Sequence, residues 1–400
     1  MKRITLLILL IFISLILMIS AGCSILGGSI FGSSSKSPII SGGGSGGSGG
    51  SEGSEGGDYP KRKIAFENLS NNRIYIVNED GTNLTLLDNS SDNPNVERWP
   101  NCSFITEEGK YKIVFTENDQ LVVINEDGTG KQILTTTNYP NYFPMYPRNA
   151  NLNLIAFIRV LQSGNYGDLF IINPYTREER QFTITSDLPV EPLIINPPMW
   201  TPNVLDPDPK ITFLRDPNKD GHFDIYLLST SNRQIIQLTN TGDVMSYAPL
   251  SRYGDKIAYV RNINGNWDIF VMDINTRQEY QITNTPELES FPMWSPIDNN
   301  KLLFIRNRGS ITNPNGDIFI ADISDINNPQ IEPIVSTPQN EVFVVWSPNS
   351  YKIAFVRINS NDDSDIIVKD LTRDTDNETN LTRNLTGIVN NPSWTDLNNY

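Results

Sequence analysis

Between residues 63 and 355 the chain alternates four-residue apolar runs with polar turns, and seven of those runs share one form. Each is an aliphatic stretch ending in an aromatic ring, usually opened by lysine: Lys63-Ile64-Ala65-Phe66, Lys112-Ile113-Val114-Phe115, Leu154-Ile155-Ala156-Phe157, Lys210-Ile211-Thr212-Phe213, Lys256-Ile257-Ala258-Tyr259, Lys301-Leu302-Leu303-Phe304 and Lys352-Ile353-Ala354-Phe355. Their first residues lie 49, 42, 56, 46, 45 and 51 apart. A period in the forties built from short β-rich segments predicts propeller blades.

The fifth unit shows the content of a blade. Lys256-Ile257-Ala258-Tyr259-Val260-Arg261 reads as a strand, and Asn262-Ile263-Asn264-Gly265-Asn266 as a turn. Asp268-Ile269-Phe270-Val271-Met272-Asp273 and Tyr280-Gln281-Ile282-Thr283 are further strands, and Phe291-Pro292-Met293-Trp294-Ser295-Pro296 opens the next unit. Four strands per unit make one antiparallel blade, which buries its faces only by stacking on neighbours. The Trp phrase precedes most anchors, as Trp99-Pro100, Met145-Tyr146-Pro147, Met199-Trp200-Thr201-Pro202, Met293-Trp294-Ser295-Pro296 and Val345-Trp346-Ser347-Pro348, with the weaker Pro249-Leu250-Ser251 before the fifth. None precedes the first anchor, yet Pro392-Ser393-Trp394-Thr395 follows the last. The C-terminal strand is therefore expected to complete the first blade, closing an all-β, seven-bladed propeller of four-stranded antiparallel sheets.

These phrases resemble the TolB-like propeller family, whose repeat runs P-x-W-S-P-D-G, K-I-A-F, D-I-Y-V-M-D and L-T. The resemblance covers residues 60–400. TolB itself has six blades, so the resemblance implies the fold and not TolB's partners.

The ends alter the picture. Met1-Lys2-Arg3 and the apolar Ile4–Ile19 read as a signal segment, ending in Ser20-Ala21-Gly22-Cys23. This is similar to a bacterial lipobox and implies a lipidated Cys23, with residues 1–22 removed. By the same resemblance, Ser24 implies the outer membrane if the cell has one. Residues 23–57 comprise that cysteine and a tether dominated by Gly and Ser, with a reach of about 30–35 Å. Residues 58–400 are the propeller. Cys102 has no second cysteine once Cys23 is lipidated, so no intramolecular disulfide is expected. The net charge of −15 and pI near 4.6 argue against a nucleic-acid partner.

Candidate chemistry is sparse. Asp216, Asn218, Asp220 and Asp224 around Gly221, with the His222 carbonyl, have the alternating oxygen spacing of a Ca²⁺ loop. A turn rich in Asp and Asn for conformational reasons has the same composition. Calcium here would stiffen a loop. Five anchors are followed by Arg159, Arg215, Arg261, Arg306 and Arg357, and their next strands open with Asp168, Asp224, Asp268, Asp317 and Asp365. Cross-strand Arg–Asp pairs are expected, rather than an arginine ring for an anionic ligand. His222 is the only histidine, which leaves no recognisable catalytic constellation and an expectation of no enzymatic activity. Ligand contacts are expected from loops carrying Tyr139, Tyr142, Asp243, Tyr247, Glu287 and Glu289, with Phe143 and Phe291 as packing residues of inner strands. The expected protein is a monomeric, lipid-anchored module of the cell envelope that binds a protein or peptide. The alternative is a carbohydrate-binding or sugar-processing propeller at the cell surface.

Overall fold

The computed structural model describes residues 62–395, except 89–94, 106–109, 149–151, 163, 191–195, 203–205, 247–248, 310–314, 360–362 and 374–376. The signal and tether, Cys23 and Tyr247 thus lie outside the described residues. Among the described residues there are no helices. The strands form seven antiparallel sheets arranged as seven blades. Five of them have four strands, blade five has three, and blade three adds the short strand Leu188–Pro189 to its four.

The C-terminal strand closes the ring. Val389–Trp394 is the inner strand of the first blade, beside Lys63–Asn68, with Ile64 opposite Trp394 and Ala65 opposite Ser393. Lys63 N donates to Thr395 Oγ1 at 2.8 Å, and Thr395 N to the Lys63 carbonyl at 2.9 Å. Trp394 is buried in a cluster with Ile64 and Phe66 of blade one and Ala354 and Val356 of blade seven. Blade five departs from the pattern. Its inner edge is made of isolated bridges, Leu250 to Ile257 and Val244 to Arg261, rather than a continuous strand. This is the unit whose Trp phrase is reduced to Pro249-Leu250-Ser251.

The core is divided into seven apolar clusters, one at each blade–blade interface. Strand alternation assigns the anchor residues to them. Ile155 and Phe157 face blade two, while Ala156 and Ile158 face blade four. Phe304 likewise shares a cluster with Ala258 of the preceding blade. The ring of one anchor thus joins the interface where the preceding anchor carries a small residue, and this fills the wedge between tilted sheets.

The Trp position fastens adjacent inner strands. Trp200 Nε1 donates to the Met145 carbonyl at 2.9 Å, Trp294 Nε1 to Pro249 at 3.1 Å and Trp346 Nε1 to Met293 at 3.0 Å. In blade two the residue at this position is Cys102, opposite Ile113, and its Sγ meets the Ser393 carbonyl at 3.3 Å. Burial pushes this thiol up to about 12. Trp99, read from sequence as the Trp of this repeat, stands three residues earlier and does something else.

Candidate functional site

Five inner strands carry a β-bulge at the same height. Along them, three residues advance against two on the partner strand, between Arg98 and Asn101, Tyr142 and Met145, Ser290 and Met293, Val342 and Val345, and Asn390 and Ser393. Each bulge holds a left-handed residue: Trp99 (φ 53°), Phe143 (52°), Phe291 (53°), Phe343 (52°) and Asn391 (50°). Four of these five are aromatic, and the left-handed region costs a bulky L-residue about 1–3 kcal/mol. The surrounding packing offsets this. Trp99 lies 4.9 Å from Phe143 and 5.2 Å from Tyr142, ring centre to ring centre, and Phe291 lies 5.1 Å from Phe343.

All five bulge residues line an axial cavity of about 350 Å³, to which the inner edges of all seven blades contribute. Its wall is mostly aromatic, Met and Pro, with Met145, Met199 and Met293 below the bulges and Pro147, Pro202, Pro296 and Pro348 toward the far end. Two residues before the four aromatic bulges the strands carry Glu97, Asn141, Glu289 and Glu341, all buried. The phrases Glu97-Arg98-Trp99, Asn141-Tyr142-Phe143, Glu289-Ser290-Phe291 and Glu341-Val342-Phe343 therefore form a second repeat that marks the axial site.

Three of these polar residues hold arginines of the repeat. Arg159 Nε donates to Asn141 at 2.8 Å, Arg306 Nε to Glu289 at 2.8 Å and Arg357 Nε to Glu341 at 2.9 Å. In blades four and five, Asp187 and Asp243 take the role, with Arg215 and Arg261 at 2.6 and 2.8 Å. Each guanidinium also lies over an aromatic ring, as with Arg306 at 4.4 Å from Phe319 and Arg215 at 4.6 Å from Tyr226. The expected Arg–Asp ion pairs are corrected accordingly. The backbone register does set each Arg opposite its Asp. Asp168, Asp224 and Asp365, however, accept a threonine hydroxyl from the rim side of their own blade, at 2.8, 2.9 and 2.8 Å. Asp317 pairs with Arg308 instead, at 2.5 Å.

Blade two breaks the scheme. Glu117 takes the arginine position, directly opposite Glu97. Asp88, Glu97 and Glu117 converge, and they are the one group of three metal-capable side chains among the described residues. Lys131 meets Asp88 at 2.5 Å and Glu117 at 2.6 Å, and Arg73 meets Glu97 at 3.2 Å. Burial pushes Glu97 up to about 7, and Glu289 likewise to about 7 despite the Thr285 and Arg306 hydrogen bonds that favour its charged form.

The Asp-rich loop forms a compact turn. Asp216 is fully buried and accepts Asp220 N at 3.1 Å, Gly221 N at 2.9 Å and Tyr166 Oη at 2.7 Å. Gly221 supplies the left-handed bend at φ 85°, and Asn218 and Asp220 are exposed. His222 Nδ1 lies 3.0 Å from the Gly242 carbonyl. Asp224 is turned toward Thr239 and Gly242 N. Of the loop residues expected to contact a ligand, Tyr139 is exposed, Tyr142 packs on Trp99, Glu287 is half-buried, and Asp243 and Glu289 hold arginines. All lie at the end where blades are joined to one another.

No family model and no curated protein matches the chain. Solved structures do resemble it. TolB from Acinetobacter baumannii matches with a TM-score of 0.53 at 17% identity, over 85% of this chain and 67% of that one. This chain has a TolB-like β-propeller fold. A puromycin hydrolase S511A mutant complexed with PGG matches with a TM-score of 0.63 at 10% identity, over 80% of this chain and 52% of that one. An oligogalacturonate lyase in complex with manganese matches at 0.51 and 13% identity, over 71% and 79%. The expectation of no enzymatic activity is therefore corrected. Proteins that share this architecture include a hydrolase and a lyase, so a propeller fold does not exclude catalysis.

Proposed function

We propose that the protein is an envelope binding module that captures a protein or peptide segment in its axial cavity. The observation that carries this reading is the set of four aromatic residues, Trp99, Phe143, Phe291 and Phe343, held in left-handed bulges around one apolar cavity. Strained backbone retained at equivalent places in separate repeats points to a site rather than to packing alone. Rigid aromatics around a concave apolar surface are the usual anchors of a protein or peptide ligand. The carboxylates nearby are engaged by arginines, and the aromatic pairs are tilted at 45–54° rather than laid out as a stacking platform. Both features favour a peptide over a sugar. Lipidation of Cys23, placement in the outer membrane where one exists, a monomeric state and a structural Ca²⁺ held by Asp216, Asn218, Asp220, Asp224 and the His222 carbonyl belong to the same reading.

The test is affinity capture from envelope extracts with residues 58–400, beside a Trp99→Ser variant of unchanged melting temperature. The reading expects a discrete partner recovered by the first and lost by the second. Equal recovery by both moves the site away from the axis.

A further inference from the structure

The two ends of the propeller differ in what they expose. In an antiparallel blade, the links between inner and second strands lie at the same end as the links between third and outer strands. Residue 62 enters the second strand of blade one at that end, where Lys63 is bonded to Thr395. The chain preceding the propeller therefore departs from this end, opposite the blade-joining end. Three of the four exposed tyrosines among the described residues are also there. Tyr175 lies in the third-to-outer turn of blade three, and Tyr253 and Tyr351 lie in the inner-to-second links of blades five and seven. They are 59%, 60% and 55% exposed. A cation accompanies two of them. Lys112 Nζ is 5.7 Å from the Tyr175 ring and Arg252 is 5.6 Å from the Tyr253 ring, while Lys352, next to Tyr351 in sequence, pairs with Glu79 at 3.2 Å.

We infer that this end is a footing on the lipid bilayer, with Tyr175, Tyr253 and Tyr351 set into the headgroup layer. The inference rests on the proposed N-terminal anchor. The three rings come from blades three, five and seven, so they are spread around one end of the propeller, as contact with a broad surface such as a membrane requires. Tyrosine favours the membrane interface because its ring is apolar and its hydroxyl wet. Lys and Arg beside it extend apolar stems and keep their charge at the phosphates. Exposed acids such as Glu178 share this end, and the chain carries −15 overall. The attachment is therefore aromatic rather than electrostatic, and it needs little intrinsic affinity. A tether of a few tens of residues raises the local concentration of membrane to roughly the millimolar range. The exposed Val96, Tyr139, Ile184 and Ile263 lie at the other end.

The test is deuterium exchange on the full-length chain in phosphatidylcholine vesicles and in detergent-free solution as its Cys23→Ser form. The inference expects residues 173–178, 251–255 and 348–352 to exchange about fivefold more slowly on vesicles, with residues 136–140 unchanged. A Tyr175→Ser, Tyr253→Ser, Tyr351→Ser variant should lose that protection while staying vesicle-bound through its N-terminus. High salt should not release it, and anionic vesicles should protect no better than neutral ones. Equal exchange at both ends, or protection that survives the triple substitution, overturns the inference. The mass of Cys23 is read separately. An unmodified thiol would refute the lipid anchor, while the apolar Ile4–Ile19 segment would still bring the chain to the vesicle, so the footing would still be tested.

Discussion

Arg261 stands directly across the strand ladder from Asp268, yet its guanidinium is held by Asp243 at 2.8 Å and Glu279 at 2.9 Å. Asp268 instead accepts hydrogen bonds from Asn266, Gln281 and the Thr285 backbone. The arginine joins its own blade to the connection from the previous one, with its plane 5.0 Å from the Phe270 ring. A double-mutant cycle by denaturant unfolding should give about 1–2 kcal/mol of coupling between Arg261 and Asp243, and near-additive effects for Arg261 with Asp268. The reverse ranking would mean that the opposite residue is the partner.

Stability should fall as pH rises from 5 to 8. Glu97 and Glu289 have folded pKa values near 7, above the ordinary 4.5. The folded state then binds more protons than the unfolded state across that window. Their contribution is complete below pH 4.5 and lost as pH passes 7. Chemical denaturation should show a loss of about 1–2 kcal/mol per group across this window, reduced in Glu289→Gln. A flat profile, or one rising with pH, would contradict these environments.

Ring closure sets the stability of the whole. Trp394→Ala removes a buried indole from the cluster between blades seven and one, and should cost about 3–5 kcal/mol by thermal or denaturant unfolding. Deleting residues 390–400 should cost more, because blade one then loses its inner strand. A truncated chain that melts like the full one would refute closure.

For the Asp216–Asp224 loop, millimolar Ca²⁺ should raise the melting temperature, Mg²⁺ should raise it less, and Asp220→Ala should abolish the response. Asp216 already holds the turn through Asp220 N and Gly221 N. The test therefore separates a metal from a self-sufficient turn. Identical curves in chelator and calcium would leave only the turn.

Seven blades were legible because each anchor repeats a whole strand, and the spare Pro392-Ser393-Trp394 phrase gave away the closure. The register of blade two was not, because Trp99-Pro100 at the bulge position imitates the Trp-Ser-Pro phrase whose own Trp position holds Cys102. The arginine partners were hidden for a different reason. Pairing across a ladder fixes backbone neighbours, but a long guanidinium reaches past them to the next connection. The axial site had a signal, the Glu-x-aromatic phrase of Glu97, Glu289 and Glu341, masked by the more conspicuous Trp-Pro pattern beside it.

The central claim, that a partner is captured in the axial cavity, is tested most directly by site-specific photocrosslinking in cells. A benzophenone side chain placed at Tyr142, beside Trp99, should yield one discrete adduct, and the same group at Asn232, in the third-to-outer link of blade four, should yield none of that species. Adducts of the same mass from both positions, or none from Tyr142 in a chain that folds and reaches the envelope, would contradict the account.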